Sequence, residues 1–223
     1  MFMLYYRIAW ACLFLLLGIP VPRNGTAWVH ASFLDALTNS LSIETVKYPI
    51  MKHLKTCIAV SLDGFIARKD NDLDWMPENV KQEILATYEL PGVLLAGVNT
   101  YNMIFERWGG WPYKSQKTFV VSHYDTNVTR EDDVTFLTDM PLRAINELKA
   151  SSETDIRVLG GGQVITSLLE ASMLDEITLY IVPVMLGNGI RFIGKTFGSE
   201  WELTQNKVMD NQMVRLTYQY KGE

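Results

Sequence analysis

Two glycine-bearing junctions have the residue types and spacing that suit binding of a phosphorylated ligand. Each joins an apolar, strand-like run to a helical pattern: Ala96-Gly97-Val98-Asn99-Thr100 in one, and Leu159-Gly160-Gly161-Gly162-Gln163 in the other. Glycine lets the backbone approach a ligand closely, and the free N–H groups at a helix N-terminus favour phosphate. Neither junction matches the Gly-x-Gly-x-x-Gly fingerprint or a P-loop. A tight turn is therefore the alternative interpretation of either junction taken alone.

The elements that must position these junctions are short β-rich runs alternating with helical patterns. Strands are predicted at 54–60, 93–96, 117–122, 134–137, 156–159 and 176–182, with a terminal hairpin at 201–209 and 213–220; helices are predicted at 77–90, 100–107, 141–149 and 163–171. Such alternation predicts an α/β fold with helices on both faces of a mostly parallel sheet and an antiparallel C-terminal edge hairpin. In such sheets ligands bind beyond the carboxyl ends of the strands.

Residues 1–50 differ from the rest of the chain. An apolar run at 8–19 follows Arg7 and ends at Pro20, and it is too short to span a bilayer, which takes about 20 residues. One interpretation is upstream sequence translated from a misplaced start, so that a cytoplasmic domain occupies 51–223. A signal-like segment that exports or tethers the protein is the second interpretation, and a functional extension is the third.

Composition disfavours several function classes. The formal net charge is −5, which disfavours a protein that mainly grips nucleic-acid phosphates. The chain has only two cysteines, 45 residues apart, and three histidines, so structural zinc and a disulfide framework are not expected. We expect a small-molecule substrate, with no metal and no stable membrane association of the folded domain.

Five motifs taken in order resemble a known family. They are Ser61-Leu62-Asp63-Gly64-Phe65-Ile66-Ala67, Gly97-x-x-Thr100-Tyr101, Val120-Val121-Ser122, the glycine triplet, and Pro183-Val184-Met185-Leu186-Gly187-Asn188-Gly189. Together they resemble the dihydrofolate reductase-like family, in the branch similar to the C-terminal reductase domain of the bifunctional riboflavin-biosynthesis deaminase/reductase. The resemblance covers about Met51 to Glu223. The zinc signature of the deaminase half is absent from the sequence.

The resemblance implies a doubly wound three-layer αβα sandwich of dihydrofolate reductase type that uses NADPH, commonly as a homodimer. It implies hydride transfer to a small heterocycle, as in the reduction of 5-amino-6-(5-phosphoribosylamino)uracil. The cofactor contacts it implies are Ala59, Ser61, Gly64, Gly97, Asn99, Thr100, Ser122, His123, Gly160, Gly161, Gly162, Gln163 and Val164. Asp63 and Trp75 would face the substrate as the catalytic candidates, and a simple Asp-Gly turn is the alternative for Asp63.

The sequence also departs from the family pattern. Val98 stands where the family commonly has an arginine that pairs with cofactor phosphate, so NADH is possible in place of NADPH. Asn79 stands at the position best aligned with the pterin-binding carboxylate of dihydrofolate reductases. The alternative function is accordingly a nucleotide-binding or sensor module of the same fold with reduced catalysis. The segment Trp108-Gly109-Gly110-Trp111-Pro112 has two interpretations, an aromatic lid or a loop that packs both tryptophans.

Overall fold

The computed structural model describes residues 52–123, 133–139, 142–195 and 198–222. The predictions made for residues 1–50 lie outside the described residues. Within the described ranges, no helix is long and apolar enough to cross a membrane.

Ten strands and four α-helices follow one another along the described chain. In chain order they are β1 (Leu54–Ser61), β2 (Phe65–Ala67), α1 (Glu78–Glu89), β3 (Val93–Gly97), α2 (Val98–Trp108), β4 (Lys117–Ser122), β5 (Val134–Thr138), α3 (Leu142–Ser151), β6 (Ile156–Gly160), α4 (Gly162–Glu170), β7 (Glu176–Val182), β8 (Ile190–Arg191), β9 (Trp201–Val208) and β10 (Val214–Tyr220). A short 3₁₀ turn, Asp210–Gln212, joins the last two strands.

Eight strands form one sheet in the order β5-β4-β3-β6-β1-β7-β10-β9, and β2 pairs with β8 separately. The first six strands of that order, β5 to β7, run parallel to one another, whereas β10 runs antiparallel to both β7 and β9. The predicted mostly parallel sheet with an antiparallel C-terminal edge hairpin is confirmed.

Side chains that alternate along each strand divide the interior into two cores. Leu94 packs with residues of α1 and α2, whereas its neighbour Leu95 packs with residues of α3 and α4. Val120 and Val121 divide in the same way because successive strand residues point to opposite faces. Both faces of the sheet are therefore covered by helices, which confirms the three-layer sandwich.

Local sequence accounts for where the helices begin and end. Pro77 is the N-cap of α1, as expected for a residue that suits the first turn and lacks an N–H. Gly109 ends α2 in the left-handed conformation, with φ of 69°. The prediction of a helix start at Thr100 was wrong by two residues, because extended Gly97 is itself the N-cap and α2 begins at Val98.

The small β2–β8 sheet was not predicted. Its strands have three and two residues, too few to show a periodic pattern. They pair over a long sequence separation, Phe65 with Arg191. This pairing brings the residue after β8 against the turn after β1, since the amide of Phe192 donates to the carbonyl of Gly64 at 3.0 Å.

Candidate functional site

A cleft of about 340 Å³ opens where β1 and β6 end and α2 begins. Ala59 of β1, Gly160 of β6, Gly161 and Thr100 line this end of the cleft. All four were among the predicted cofactor residues, and the structure brings them together at the carboxyl ends of central strands. This is the position where open α/β sheets bind ligands.

The two glycine junctions pack against each other. A Cβ built on Gly97 would lie 3.1 Å from Cγ2 of Val164 and 3.4 Å from the amide nitrogen of Gly161. A Cβ built on Gly161 would lie 3.1 Å from Oγ1 of Thr100. A side chain at position 97 would press on Val164 and on the backbone of Gly161, so glycine at 97 lets both helix starts face one crevice.

The starts of α2 and α4 have no side-chain cap among the described residues. The N-caps are Gly97 and Gly161, and neither helix receives a side-chain cap hydrogen bond within the described chain. Unsatisfied N–H groups and the positive end of the helix dipole favour anions. Together the glycine backbone and the uncapped helix starts form a cradle that fits a phosphate-bearing cofactor.

Asp63 is held by three donors and does not line the cleft. Its Oδ1 accepts from the Ser61 hydroxyl at 2.6 Å and the Leu186 amide at 3.1 Å, and its Oδ2 accepts from the Gly187 amide at 2.7 Å. The Ser61 hydrogen bond, helped by the two amides, lowers the pKa of this carboxyl from 3.8 to about 2. The carboxylate is therefore ionised at neutral pH and ties the turn after β1 to the loop before β8.

Trp75 also lies beside the cleft rather than in its lining, between the lining residues Asp74 and Met76. It is 8% exposed, and its indole N–H has no hydrogen-bond partner among the described residues. A buried donor without a partner is uncommon.

Gly64 occupies the turn after β1 with φ of 85°, a conformation that favours glycine.

The remaining predicted cofactor residues are spread around the same edge of the sheet. Ser122 is buried at the end of β4, and His123, which is exposed, has its Nδ1 3.2 Å from Oδ1 of Asp139. Asn99 and Gln163 are exposed on the first turns of α2 and α4. Val164 was predicted to contact cofactor, and the structure packs it into the core beside Gly97.

Apart from Trp108, which the aromatic-lid interpretation included, the residues of the far walls of the cleft were not predicted from sequence. They come from α1, α2 and the segments around them, including Leu73, Met76, Lys81, Ile84, Leu85, Tyr88, Met103, Ile104, Arg107, Trp108 and Tyr113. The signal was present, because the members from each helix recur at spacings of three and four residues. In the tryptophan segment, Trp111 is buried at 1% exposure, whereas Trp108 lines the cleft with 51% exposed.

The titratable groups in the cleft do not favour nucleophilic catalysis. Burial raises the pKa of the Cys57 thiol to about 11, so the thiol is neutral at physiological pH. Burial, together with the charge of Glu89, raises the pKa of Tyr113 to about 12. No cluster of metal-ligating side chains occurs in the part of the chain that the structure describes.

Comparison with known proteins agrees with this architecture. YwjB of Bacillus subtilis (strain 168) is 26% identical over 136 residues, which are 60% of this chain and 78% of that protein. A Shewanella sp. PV-4 structure, described as that of a riboflavin biosynthesis protein, is 29% identical with a TM-score of 0.66, over 76% of this chain and 99% of the other.

A dihydrofolate reductase from Enterococcus faecalis, solved in complex with NADP(H), shares the fold. Its TM-score is 0.59 at 19% identity, over 76% of this chain and 97% of that one. The family model described as the RibD C-terminal domain matches residues 52–215, which include the cleft, both glycine junctions and most of the sheet. The chain belongs to the RibD C-terminal domain family, whose fold is that of dihydrofolate reductase-like proteins.

Proposed function

We propose that this protein is a reductase that transfers hydride from a reduced nicotinamide cofactor to a small heterocyclic substrate. The observation that carries the proposal is the convergence of two uncapped, glycine-lined helix starts on one edge of a cleft with apolar far walls. The family and the NADP(H)-bound E. faecalis relative support it.

In this proposal the backbone of Gly97, Gly160, Gly161 and Gly162 binds the cofactor phosphates, with Thr100 beside them. Ala59, which has a small side chain and lies in the cleft lining, leaves room for the nicotinamide end. A reduced nicotinamide bound there supplies the hydride. Asn99, Ser122, His123, Gln163 and Val164 stay predicted cofactor contacts.

The chain's own contribution is to position the reactants and exclude water. We assign Asp63 a positioning role, since an ionised carboxylate that accepts three hydrogen bonds cannot donate a proton at neutral pH. Trp75, whose buried indole N–H has no partner among the described residues, stays a predicted substrate contact. The proton that accompanies the hydride comes from a water or a protein group.

The test is a titration of the full chain with NADPH and with NADH, followed by tryptophan fluorescence. Trp108 lines the cleft, whereas Trp201 packs against Tyr220 with ring centroids 5.3 Å apart at the sheet edge. Quenching should be weaker in Trp108→Phe, where Trp75 beside the cleft still reports binding, and unchanged in Trp201→Phe. If neither cofactor binds, the proposal is wrong.

The sensor alternative rests on Val98, which cannot pair with phosphate as arginine does. It predicts cofactor binding without oxidation of the cofactor when substrates are added. Substrate-dependent loss of NADPH absorbance therefore separates the two functions.

We also propose that the protein is a homodimer. The edge strand β9 has seven of its eight residues exposed, and Val208 at its end is 76% exposed. Among the described strands β9 has a neighbour on one side only, and a long edge of this kind favours association with another chain. Light scattering should give the mass of two chains, and Val208→Lys should reduce it to one. A single-chain mass for the unmodified protein would contradict the proposal.

A domain at 51–223 and a cytoplasmic location stay predictions. Determining the N-terminus of the mature protein distinguishes them from export: a start at Met51 supports both, and a start near Ser32 supports a processed signal.

A further inference from the structure

The charged side chains that line the cleft already have partners of opposite charge. Nη2 of Arg107 lies 3.7 Å from Oδ1 of Asp72 and donates to the carbonyl oxygen of Asn71 at 3.0 Å. Arg107 and Asp72 both line the cleft. The guanidinium on α2 is thereby attached to the loop between β2 and α1, and its charge is balanced within the cleft.

The other two charged lining residues are paired in the same way. Oδ1 of Asp74 accepts from Nε of Arg68 at 2.6 Å, and Nζ of Lys81 lies 3.6 Å from Oε2 of Glu78. Among the described lining residues, two carboxylates therefore accompany two cations. The cleft has no excess of positive charge.

Between these pairs the far walls are apolar. Side chains from α1, from α2 and from the loop between β2 and α1 supply these walls, namely Leu73, Met76, Ile84, Leu85, Met103 and Ile104. Trp108 adds a half-exposed indole beside Arg107 in the chain. Such walls favour a flat, uncharged ring because burial of apolar surface is the main gain on binding.

A phosphate or carboxylate on the substrate would meet a different environment. It would have to compete with Asp72 for Arg107 or with Glu78 for Lys81, while lying near two carboxylates. A buried anion without a surplus cation is unfavourable, and phosphate recognition usually uses the free fork of an arginine.

We propose that the substrate of this cleft is an uncharged heterocycle without a phosphate or carboxylate group. The inference rests on the proposed reductase function and narrows its substrate class. It separates this chain from a reductase of phosphorylated pyrimidines, although the fold is the same.

The probes are 5-amino-6-(ribosylamino)uracil and its 5′-phosphate, which differ only in the phosphate. Calorimetric titration of the full chain, with and without saturating NADPH, measures the affinity of each probe directly. We expect the uncharged probe to bind at least about tenfold more tightly. Tighter binding of the phosphorylated probe, or binding of neither, overturns the inference. Binding of the uncharged probe in a protein that does not bind NADPH would support the inference while refuting the reductase function.

Rim variants test the electrostatic reason. Asp72→Asn removes the carboxylate that balances Arg107, so affinity for the phosphorylated probe should rise about two- to fivefold while that for the uncharged probe stays the same. Asp70→Asn is the matched control, since it removes the same charge from the same loop outside the cleft lining. Equal effects of the two variants on the phosphorylated probe would contradict the role of the Asp72–Arg107 pair. Loss of phosphorylated-probe binding in Lys81→Met, after tight binding by the unmodified protein, would identify Lys81 as a phosphate anchor and overturn the inference.

Discussion

Adjacent glycines at the start of α4 should respond to the same substitution in opposite ways. Gly161 lines the cleft, and a Cβ there would meet only the Thr100 hydroxyl, at 3.1 Å. Gly162 is buried, and a Cβ there would overlap the backbone carbonyl oxygen of Arg191. A hydroxyl on a rotatable side chain can move aside, whereas a carbonyl in a paired strand cannot. Gly161→Ala should therefore affect the cofactor and Gly162→Ala the fold.

The structure sets the size of each effect. For Gly162→Ala, overpacking costs about 1–3 kcal/mol, and the helix preference for alanine over glycine returns about 0.5–1 kcal/mol. The net loss in free energy of unfolding is about 1–2 kcal/mol, or a Tm lower by about 2–8 °C. For Gly161→Ala we expect a stability change within about 0.5 kcal/mol. Loss of one backbone hydrogen bond to a charged phosphate, about 1.5–3 kcal/mol, weakens NADPH binding by about ten- to over a hundredfold.

Two measurements on each variant decide the matter. Urea unfolding gives the free energy of unfolding, and the fluorescence titration with NADPH gives the dissociation constant. The reasoning is refuted if Gly161→Ala binds NADPH as tightly as the unmodified protein. It is also refuted if Gly162→Ala unfolds at the same urea concentration as the unmodified protein.

Three further substitutions test other parts of the site. The lowered pKa of Asp63 means that its ionised form stabilises the fold fully above pH 3.8 and that this contribution is lost as pH falls to about 2. The urea midpoint should therefore fall more steeply across that range in the unmodified protein than in Asp63→Asn. Equal slopes in the two proteins would contradict this. Tyr88→Phe removes a buried hydroxyl that accepts from the Cys57 amide at 3.2 Å and lies 2.8 Å from the Cys57 carbonyl oxygen. The free energy of unfolding should therefore fall by about 1–3 kcal/mol. An unchanged urea midpoint would show that these hydrogen bonds do not stabilise the fold. Val98→Arg should strengthen NADPH binding about tenfold or more and leave NADH binding nearly unchanged. An equal gain for both cofactors in the fluorescence titration would argue against pairing of the new arginine with the phosphate that NADPH has and NADH lacks.

The layers of the fold could be predicted because their signals are local. The runs Val93–Gly97 and Ile156–Gly160 are largely apolar strands that end in glycine, and the following helices carry apolar residues at three- and four-residue spacing. Periodicity and punctuation of this kind depend on neighbouring residues only. They therefore indicated both glycine junctions, which pack so closely in the folded chain that a Cβ built on Gly97 would lie 3.4 Å from the amide nitrogen of Gly161.

The state of Asp63 could not be predicted in full, because two of its three hydrogen-bond donors are distant in sequence. The Leu186 and Gly187 amides lie 123 and 124 residues further along the chain. From sequence, the Asp63-Gly64 pair fits both a turn and a substrate-facing acid. The β2–β8 pairing, through elements too short to show a pattern, adjoins the loop before β8, whose Leu186 and Gly187 amides add to the Ser61 hydrogen bond in lowering the carboxyl pKa.

The charge balance of the cleft also depends on contacts between residues that are distant in sequence, and it bears on which substrates the cleft would accept. In sequence, Arg107 at the end of α2 is a free cation with the chemistry to hold a phosphate. The fold places it against the loop at Asn71 and Asp72, 36 and 35 residues earlier, where its charge is used to hold that loop. Lys81, which also lines the cleft, is paired with Glu78 on its own helix. A fold of this family can thus keep the glycine junctions unchanged while ion pairs on the opposite wall, such as Arg107–Asp72, change which substrates the cleft would accept. Substrate choice in this chain should therefore follow the pairing of these rim charges more closely than the glycine motifs that define the family.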